Sequence, residues 1–492
     1  MSYDRVASIS RLGAIVAVLV LAAVGCNARP QALPNTGLPV ASQIGSDSTS
    51  SNNGWPTFAY DYTRSGFNPS VTNLTPSNVS KLTRRWKQNV GDEIFASPVT
   101  YAGNLIVVTV GSRTASLGSV VYDFSTSDGK LLWKYAMGGK AKMTPTIDPS
   151  AGLVIVGRQS SEPYLYALHL LDGTVAWSRK VRGLLRAAPV VAGGVVYIGR
   201  SGGDPPACTQ GGVSAYNETT GKLEWDWAVD PTRHEGGSVW GAISYDGTNL
   251  IFGTGNTCQT PVTTANGAVS LKLDGSVAWN MVAVKDSSYD ADTGGGVMLL
   301  NGRAHFINKN GRFYALNEET GNIVWKSDLN PLAGPPSWKG GFASPTTDGS
   351  TTILVGSGLY KGSSSGSGAD LGGEFCMLNV AKPTEVFKGF HSELQAMNLS
   401  GNVIWTREMQ NRLVGYVALA QGLGFVGLNE NFEALDLKTG KTLWSYATPD
   451  YIDASMIVVP SGLYGADDAG NVYAFTLPTP SGHRRHGARV RE

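Results

Sequence analysis

One pattern recurs along most of this chain of 492 residues: an apolar strand, a turn with Asp or Thr ahead of Gly, and a second strand ending in tryptophan. It reads VVYDFSTSDGKLLW to Trp133, LYALHLLDGTVAW to Trp177, VSAYNETTGKLEW to Trp225 and VSLKLDGSVAW to Trp279. It continues with FYALNEETGNIVW to Trp325, LQAMNLSGNVIW to Trp405 and FEALDLKTGKTLW to Trp444. The tryptophans are 44, 48, 54, 46, 80 and 39 residues apart. Self-similarity at a period in the forties, with four short strands per unit, predicts an all-β propeller. Composition points the same way. Gly contributes 62 residues and charged side chains only 16%, which suits many short strands joined by tight turns.

The two ends complete each other. Trp86, in LTRRWKQ, lies 47 residues before Trp133 with no strand and turn ahead of it, and GNVYAFTLP (470–478) is a strand lacking its Trp. Joined, they make an eighth blade from both termini, which closes the ring and removes open sheet edges. The 80-residue gap before Trp405 holds a Gly/Ser tract, 362–368, that reads as a long surface loop rather than a ninth blade. The tryptophans themselves are expected to pack between blades, each indole N–H reaching a turn carbonyl.

Charge weighs against one class of partner. With 39 basic and 38 acidic residues, near-neutrality removes the strongest argument for a nucleic-acid partner, which would need a basic face. The four cysteines, Cys26, Cys208, Cys258 and Cys376, show neither C-x-x-C nor C-x-x-C-H spacing, so zinc ribbons and attached c-type haem are excluded. Cys208 and Cys258 are candidates to pair in an exported protein, which spacing alone does not decide. With six histidines and no nucleophile-elbow context, serine hydrolysis finds no support. Carboxylate pairs are too common at this length to read as a glycosidase site.

Arg5 and Arg11 precede an apolar run, 12–24, that is short for a membrane span. Its end, LAAVGC, resembles a bacterial lipoprotein signal, which would make Cys26 the lipidated N-terminus; ordinary secretory cleavage nearby is the alternative. The expected organisation is a signal peptide (1–25), a flexible tether rich in Pro, Ser and Gly (26–54), the propeller (55–478) and a disordered basic tail (479–492). The location implied is a bacterial envelope, with the protein exported and anchored by lipid.

The A-x-D-x-x-T-G-K-x-x-W pattern resembles the repeat of pyrroloquinoline quinone (PQQ) enzymes and of their non-enzymatic relatives, the outer-membrane assembly lipoproteins. WPTFAYDYTRSGFNPS (55–70) is similar to the opening of quinoprotein alcohol dehydrogenases. GGSVWGAISYDGTNLIFGTGN (236–256) resembles the segment whose Trp floors the quinone and whose Asn binds metal, which implies those roles for Trp240 and Asn256. IGRSGGD (198–204) implies a metal-binding Asp204 where the family has Glu. DSSYDADTGGGVML (286–299) implies Asp290 as the base taking the alcohol proton and as a metal ligand. Asp292 is then the extra carboxylate found in lanthanide-using members. FINKNGRFYAL (306–316) implies Lys309 against the quinone oxygens, although Asn310-Gly311 is also a hairpin turn in its own right. The family's adjacent cysteine pair is absent, and its carboxylate-binding Arg has no counterpart around 142–145; Arg186, in LLRAAPVV, is the candidate replacement.

Two readings follow from the resemblance. One is a dehydrogenase using PQQ with Ca2+ or a lanthanide, oxidising an alcohol or polyol and passing electrons to a separate acceptor. The other is a non-catalytic propeller lipoprotein that binds an envelope protein.

Overall fold

The computed structural model describes residues 54–478 except 114–116, 161, 203–208, 233–235, 256, 258–262, 286–290, 330–342, 361–389, 410–412 and 414. The signal and tether expected ahead of Gly54, the tail after 478, the Gly/Ser tract at 362–368 and all four cysteines lie outside the described residues.

Eight antiparallel sheets are arranged as the blades of a propeller. Blades 1 to 7 are built from 99–136, 146–180, 184–228, 244–282, 298–328, 346–409 and 418–447. Blade 8 takes three strands from 457–476 and its outermost strand, Thr83–Asn89, from the other end of the chain. Trp86 pairs with Ala474 there, so the closure expected from the two half-repeats is the one that forms. Strands are named A to D from the propeller axis outward. The 80-residue spacing arises inside blade 6, where residues 361–389 separate strand B from strand C while Tyr360 still pairs with Phe390.

The repeat tryptophans hold neighbouring blades together. All eight indole N–H groups donate to a backbone carbonyl in the adjoining blade or the segment leading into it. Trp86 reaches Thr126, Trp133 reaches Leu170, Trp177 reaches Glu218 and Trp225 reaches Leu273. Trp279 reaches Glu318, Trp325 reaches Leu399, Trp405 reaches Leu437, and Trp444 reaches Leu82 to close the ring. The glycine of the next blade's C–D turn packs under the indole. At Gly173 φ is +71° and an added Cβ would sit 2.4 Å from the Trp133 ring. Gly173→Ala is therefore expected to lose about 2–4 kcal/mol, combining left-handed strain with overpacking. Gly152, also at positive φ but with open space around it, provides the control and should lose about 1 kcal/mol as alanine. Equal shifts of the urea midpoint for the two would show that the indole contact is soft.

On strand C the residue opposite each Trp is small: Ala in six blades, Ser270 in blade 4 and Asp123 in blade 1. Asp123 is fully buried, accepts one bond from Leu105 N at 3.1 Å, and leaves Oδ2 without a partner. Burial pushes its carboxyl up to about 7. A raised folded-state pKa favours the protonated form, so the fold loses stability as pH rises from about 4 to about 7. Asp123→Asn should flatten that slope and gain on the order of 2 kcal/mol at pH 8, read as urea midpoints at pH 5 and pH 8.

The segment 55–68 has no repeat pattern, and the structure gives it a distinct job. It runs around the inner ring as a cord and bonds to every blade. Trp55 exchanges two backbone bonds with Thr100, Ile147 N donates to Pro56 O, and Val191 N donates to the Tyr62 hydroxyl. Tyr245, Leu299, Thr347 and Leu419 donate to the carbonyls of Tyr62, Thr63, Ser65 and Gly66. Asn68 Nδ2 reaches Val458 O in blade 8. These bonds fall on the A strands toward their A–B turns, so the cord floors the channel at that end.

Candidate functional site

Each D strand returns to the axis through a connection that starts the next blade, and these connections share one face. Together they line a single pocket on the axis, with about 870 Å3 of space open to solvent at its mouth. Every connection contributes: Ser97, Thr144, Ala188, Ala242, Gly296, Ser344, Gly415 and Asp453 come from eight different blade junctions. Phe58 of the cord joins them from below, packed edge-on against Tyr416 at 4.8 Å, and Tyr416 stacks on Trp55 at 5.9 Å.

One wall carries the aromatic and charged groups. Trp240 lines the pocket, and its edge lies where a side chain at Gly294 would be, 2.2 Å from the position of a Cβ. The Gly-Gly-Gly run at 294–296 is thus a packing requirement: bare backbone lets the indole and its neighbours close up. Lys309 Nζ sits 5.5 Å from the Trp240 ring centroid and 3.1 Å from Asp292 Oδ2. The lysine side chain is 3% exposed and the aspartate 10%. The backbone repeats the pairing, Lys309 N donating to Asp292 O at 2.9 Å. Asn308, fully buried, ties both partners by donating to Ala291 O and Thr293 Oγ1. The Asn310-Gly311 hairpin turn does form, with Gly311 N bonded to Asn308 O, yet Lys309 turns inward from it. A buried ion pair held from both sides is costly to desolvate and costly to break.

Of the residues singled out by sequence, Trp240, Arg186, Lys309 and Asp292 are described: Trp240 and Arg186 line the well, and the Lys309–Asp292 pair packs beside the Trp240 ring without lining it. Arg186 lines it and donates from Nε to Gln159 Oε1 at 3.2 Å. Asp204, Asn256 and Asp290 lie outside the described residues. The Asp292 carboxylate packs over Gly255, the residue before Asn256, where an added Cβ would come within 2.8 Å of Oδ1. Among the described residues no three His, Cys, Asp or Glu side chains cluster as a metal site.

Three charged or aromatic pocket residues escaped the motif reading: Phe95, Lys142 and Asp453. Lys142 Nζ lies over the Phe95 ring at 4.6 Å. A register signal was present all the same. Phe95, Lys142, Arg186 and Asp453 each stand nine residues beyond a repeat tryptophan, namely Trp86, Trp133, Trp177 and Trp444. Where the connection is longer, as between Trp225 and Trp240, the same wall position falls later.

The donor set suits a flat, anionic, polycyclic ligand. It offers an indole face, Lys142 and Arg186 as cations on the wall, and glycine backbone that leaves room beside the ring.

Known proteins share this architecture. A family model described as outer membrane protein assembly factor BamB matches residues 78–235. A quinoprotein alcohol dehydrogenase, PedH of Pseudomonas putida, is 23% identical over 76% of this chain and 79% of its own length. The BamB of Yersinia pestis is 24% identical over 54% of this chain and 67% of its own. The crystal structure of a quinohemoprotein alcohol dehydrogenase from Comamonas testosteroni superposes with a TM-score of 0.67 at 18% identity, covering 90% of this chain and 85% of that one. No helix among the described residues is long and apolar enough to cross a membrane.

Proposed function

We propose that this chain, a PQQ-type eight-bladed propeller related both to quinoprotein alcohol dehydrogenases and to BamB, is an exported dehydrogenase that oxidises an alcohol or polyol. The observation that supports this reading is the well itself, where an indole and two cations line the wall and a buried Lys309–Asp292 pair backs the indole. PQQ is planar and carries carboxylates, so Trp240 would supply its flat contact, and Arg186 with Lys142 would balance its charge. Asp204, Asn256, Asp290 and Asp292 would hold Ca2+ or a lanthanide, hard ions that take oxygen ligands. When bound, the quinone supplies a two-electron acceptor and the metal a Lewis acid.

The chain's own residues supply the rest. Asp290 takes the hydroxyl proton of the substrate. Lys309 keeps a positive charge beside Asp292 and so fixes its carboxylate in place. The cord, with Phe58 lining the well, closes the side behind the reacting groups and limits water there. Electrons leave to a separate acceptor. Export and a lipid anchor at Cys26 belong to this proposal.

A second reading, a scaffold that binds an envelope protein, draws on the BamB family match over 78–235. Equilibrium binding of PQQ to the purified protein, with Ca2+ or with a light lanthanide, separates the two. The enzyme reading expects binding that requires metal, quenches Trp fluorescence and is lost in Asp290→Ala. Lack of binding under either metal would hand the protein to the scaffold reading.

A further inference from the structure

The face opposite the well carries the A–B and C–D turns, linked by bonds such as Thr126 N to Gly103 O and Leu437 N to Gly422 O. Three neighbouring stretches of this face bring exposed cations together. Lys438 and Lys441 flank the C–D turn of blade 7, Lys81, Arg84 and Arg85 lead into and begin the outer strand of blade 8, and Lys130 closes the C–D turn of blade 1. Hydrogen bonds fix their proximity. Arg84 Nη1 donates to the Tyr446 hydroxyl at 2.8 Å, Trp444 Nε1 to Leu82 O at 3.1 Å, and Trp86 Nε1 to Thr126 O at 3.1 Å. The two carboxylates in these turns, Asp436 and Asp128, accept backbone bonds from Thr439 N and Lys130 N. Six cations against two locally engaged carboxylates is a strong bias in a protein whose net charge is +1. The described chain also begins on this face, with Gly54 against Thr100 and Tyr101 of blade 1.

We infer that this basic face, across blades 7, 8 and 1, docks on the anionic headgroups of a bilayer and turns the mouth of the well away from it. A polybasic patch gains from an anionic surface within a Debye length, and a patch combined with an acyl chain anchors more firmly than either alone. The inference rests on the Cys26 anchor of the proposed function. The 27 residues from Asn27 to Asn53 are rich in Pro, Ser and Gly, and a coil of that length and composition would span roughly 30 Å on average, enough to keep the face where the described chain begins near the bilayer. Substrate and electron acceptor then reach the well from the aqueous side.

The test is lysine acetylation of the full-length protein on vesicles of phosphatidylcholine with and without phosphatidylglycerol, read residue by residue by mass spectrometry. Lys81, Lys130, Lys438 and Lys441 are expected to react about tenfold more slowly when the anionic lipid is present. Lys272 and Lys326, exposed on blades 4 and 5, should not change. The triple variant Lys81→Glu/Arg84→Glu/Arg85→Glu should lose the protection at Lys130, Lys438 and Lys441. Equal rates on both vesicle types overturn the inference. So does protection that requires an added envelope protein, which would assign the face to an acidic protein partner. Full-length Cys26→Ser separates this inference from its premise: if only the lipid anchor fails, wild type and Cys26→Ser bind anionic vesicles alike, and both are released by salt.

Discussion

Arg64→Met is expected to cost about 3–5 kcal/mol, read as a lowered urea midpoint. Arg64 is fully buried in the cord. Its guanidinium donates to Ile243 O from Nε at 2.8 Å and from Nη2 at 2.5 Å, and to Thr57 Oγ1, Phe58 O and Asp61 O from Nη1. Burial pulls its pKa down to about 10, which measures how poorly the surroundings compensate the charge. The group is retained because one planar fork satisfies four oxygens that converge from the cord and from the start of blade 4. Methionine fills similar volume and leaves those oxygens dry and unpaired. Arg64→Lys keeps the charge but not the fork, and should recover less than half of the loss. If methionine proves as stable as arginine, the Arg64 fork does not hold the cord and ring closure rests on the tryptophans alone.

Periodicity made the blades legible and made the cord illegible. The strand–turn–Trp unit repeats because each blade solves the same packing problem, and the Ala opposite each indole and the Gly beneath the next one follow from it. The closure of blade 8 could be read because each terminus kept half of that unit. The stretch 55–68 touches every blade once, so each of its residues meets a different environment and no period survives. Site legibility divides the same way. Trp240 and Lys309 stand in segments with distinctive neighbours and were readable by resemblance. Lys142 and Asp453 sit in short connections where only the register, nine residues after a tryptophan, distinguishes them. The pairing of Lys309 with Asp292 was not readable, because an Asn-Gly hairpin by itself normally leaves such a lysine in water. The buried Asn308 and the carboxylate on the facing loop decide its direction, and both are long-range contacts.

Lys309→Met is expected to cost about 3–5 kcal/mol, because it strands the Asp292 carboxylate 10% exposed beside an indole. Asp292→Asn should lose a similar amount by stranding the ammonium. The double variant Lys309→Met/Asp292→Asn removes both charges and should recover most of the loss, leaving it far more stable than the sum of the two single losses. Stability alone would not tell a structural pair from a functional one, so the same four proteins are to be titrated with PQQ and metal. The proposed function expects the double variant to be folded, near wild type in urea, and unable to bind. A stable double variant that binds the quinone and metal as wild type does would remove Lys309 and Asp292 from the site. A double variant as unstable as the sum of the singles would mean that Asn308 and the glycine-packed Trp240, rather than the ion pair, hold this wall in shape. The pair matters because it fixes one carboxylate against Gly255, next to the position where the resemblance places the metal-binding Asn256. An ion pair buried at that junction is expensive to keep, and a propeller that only needed to pack its blades would do better with two apolar side chains there.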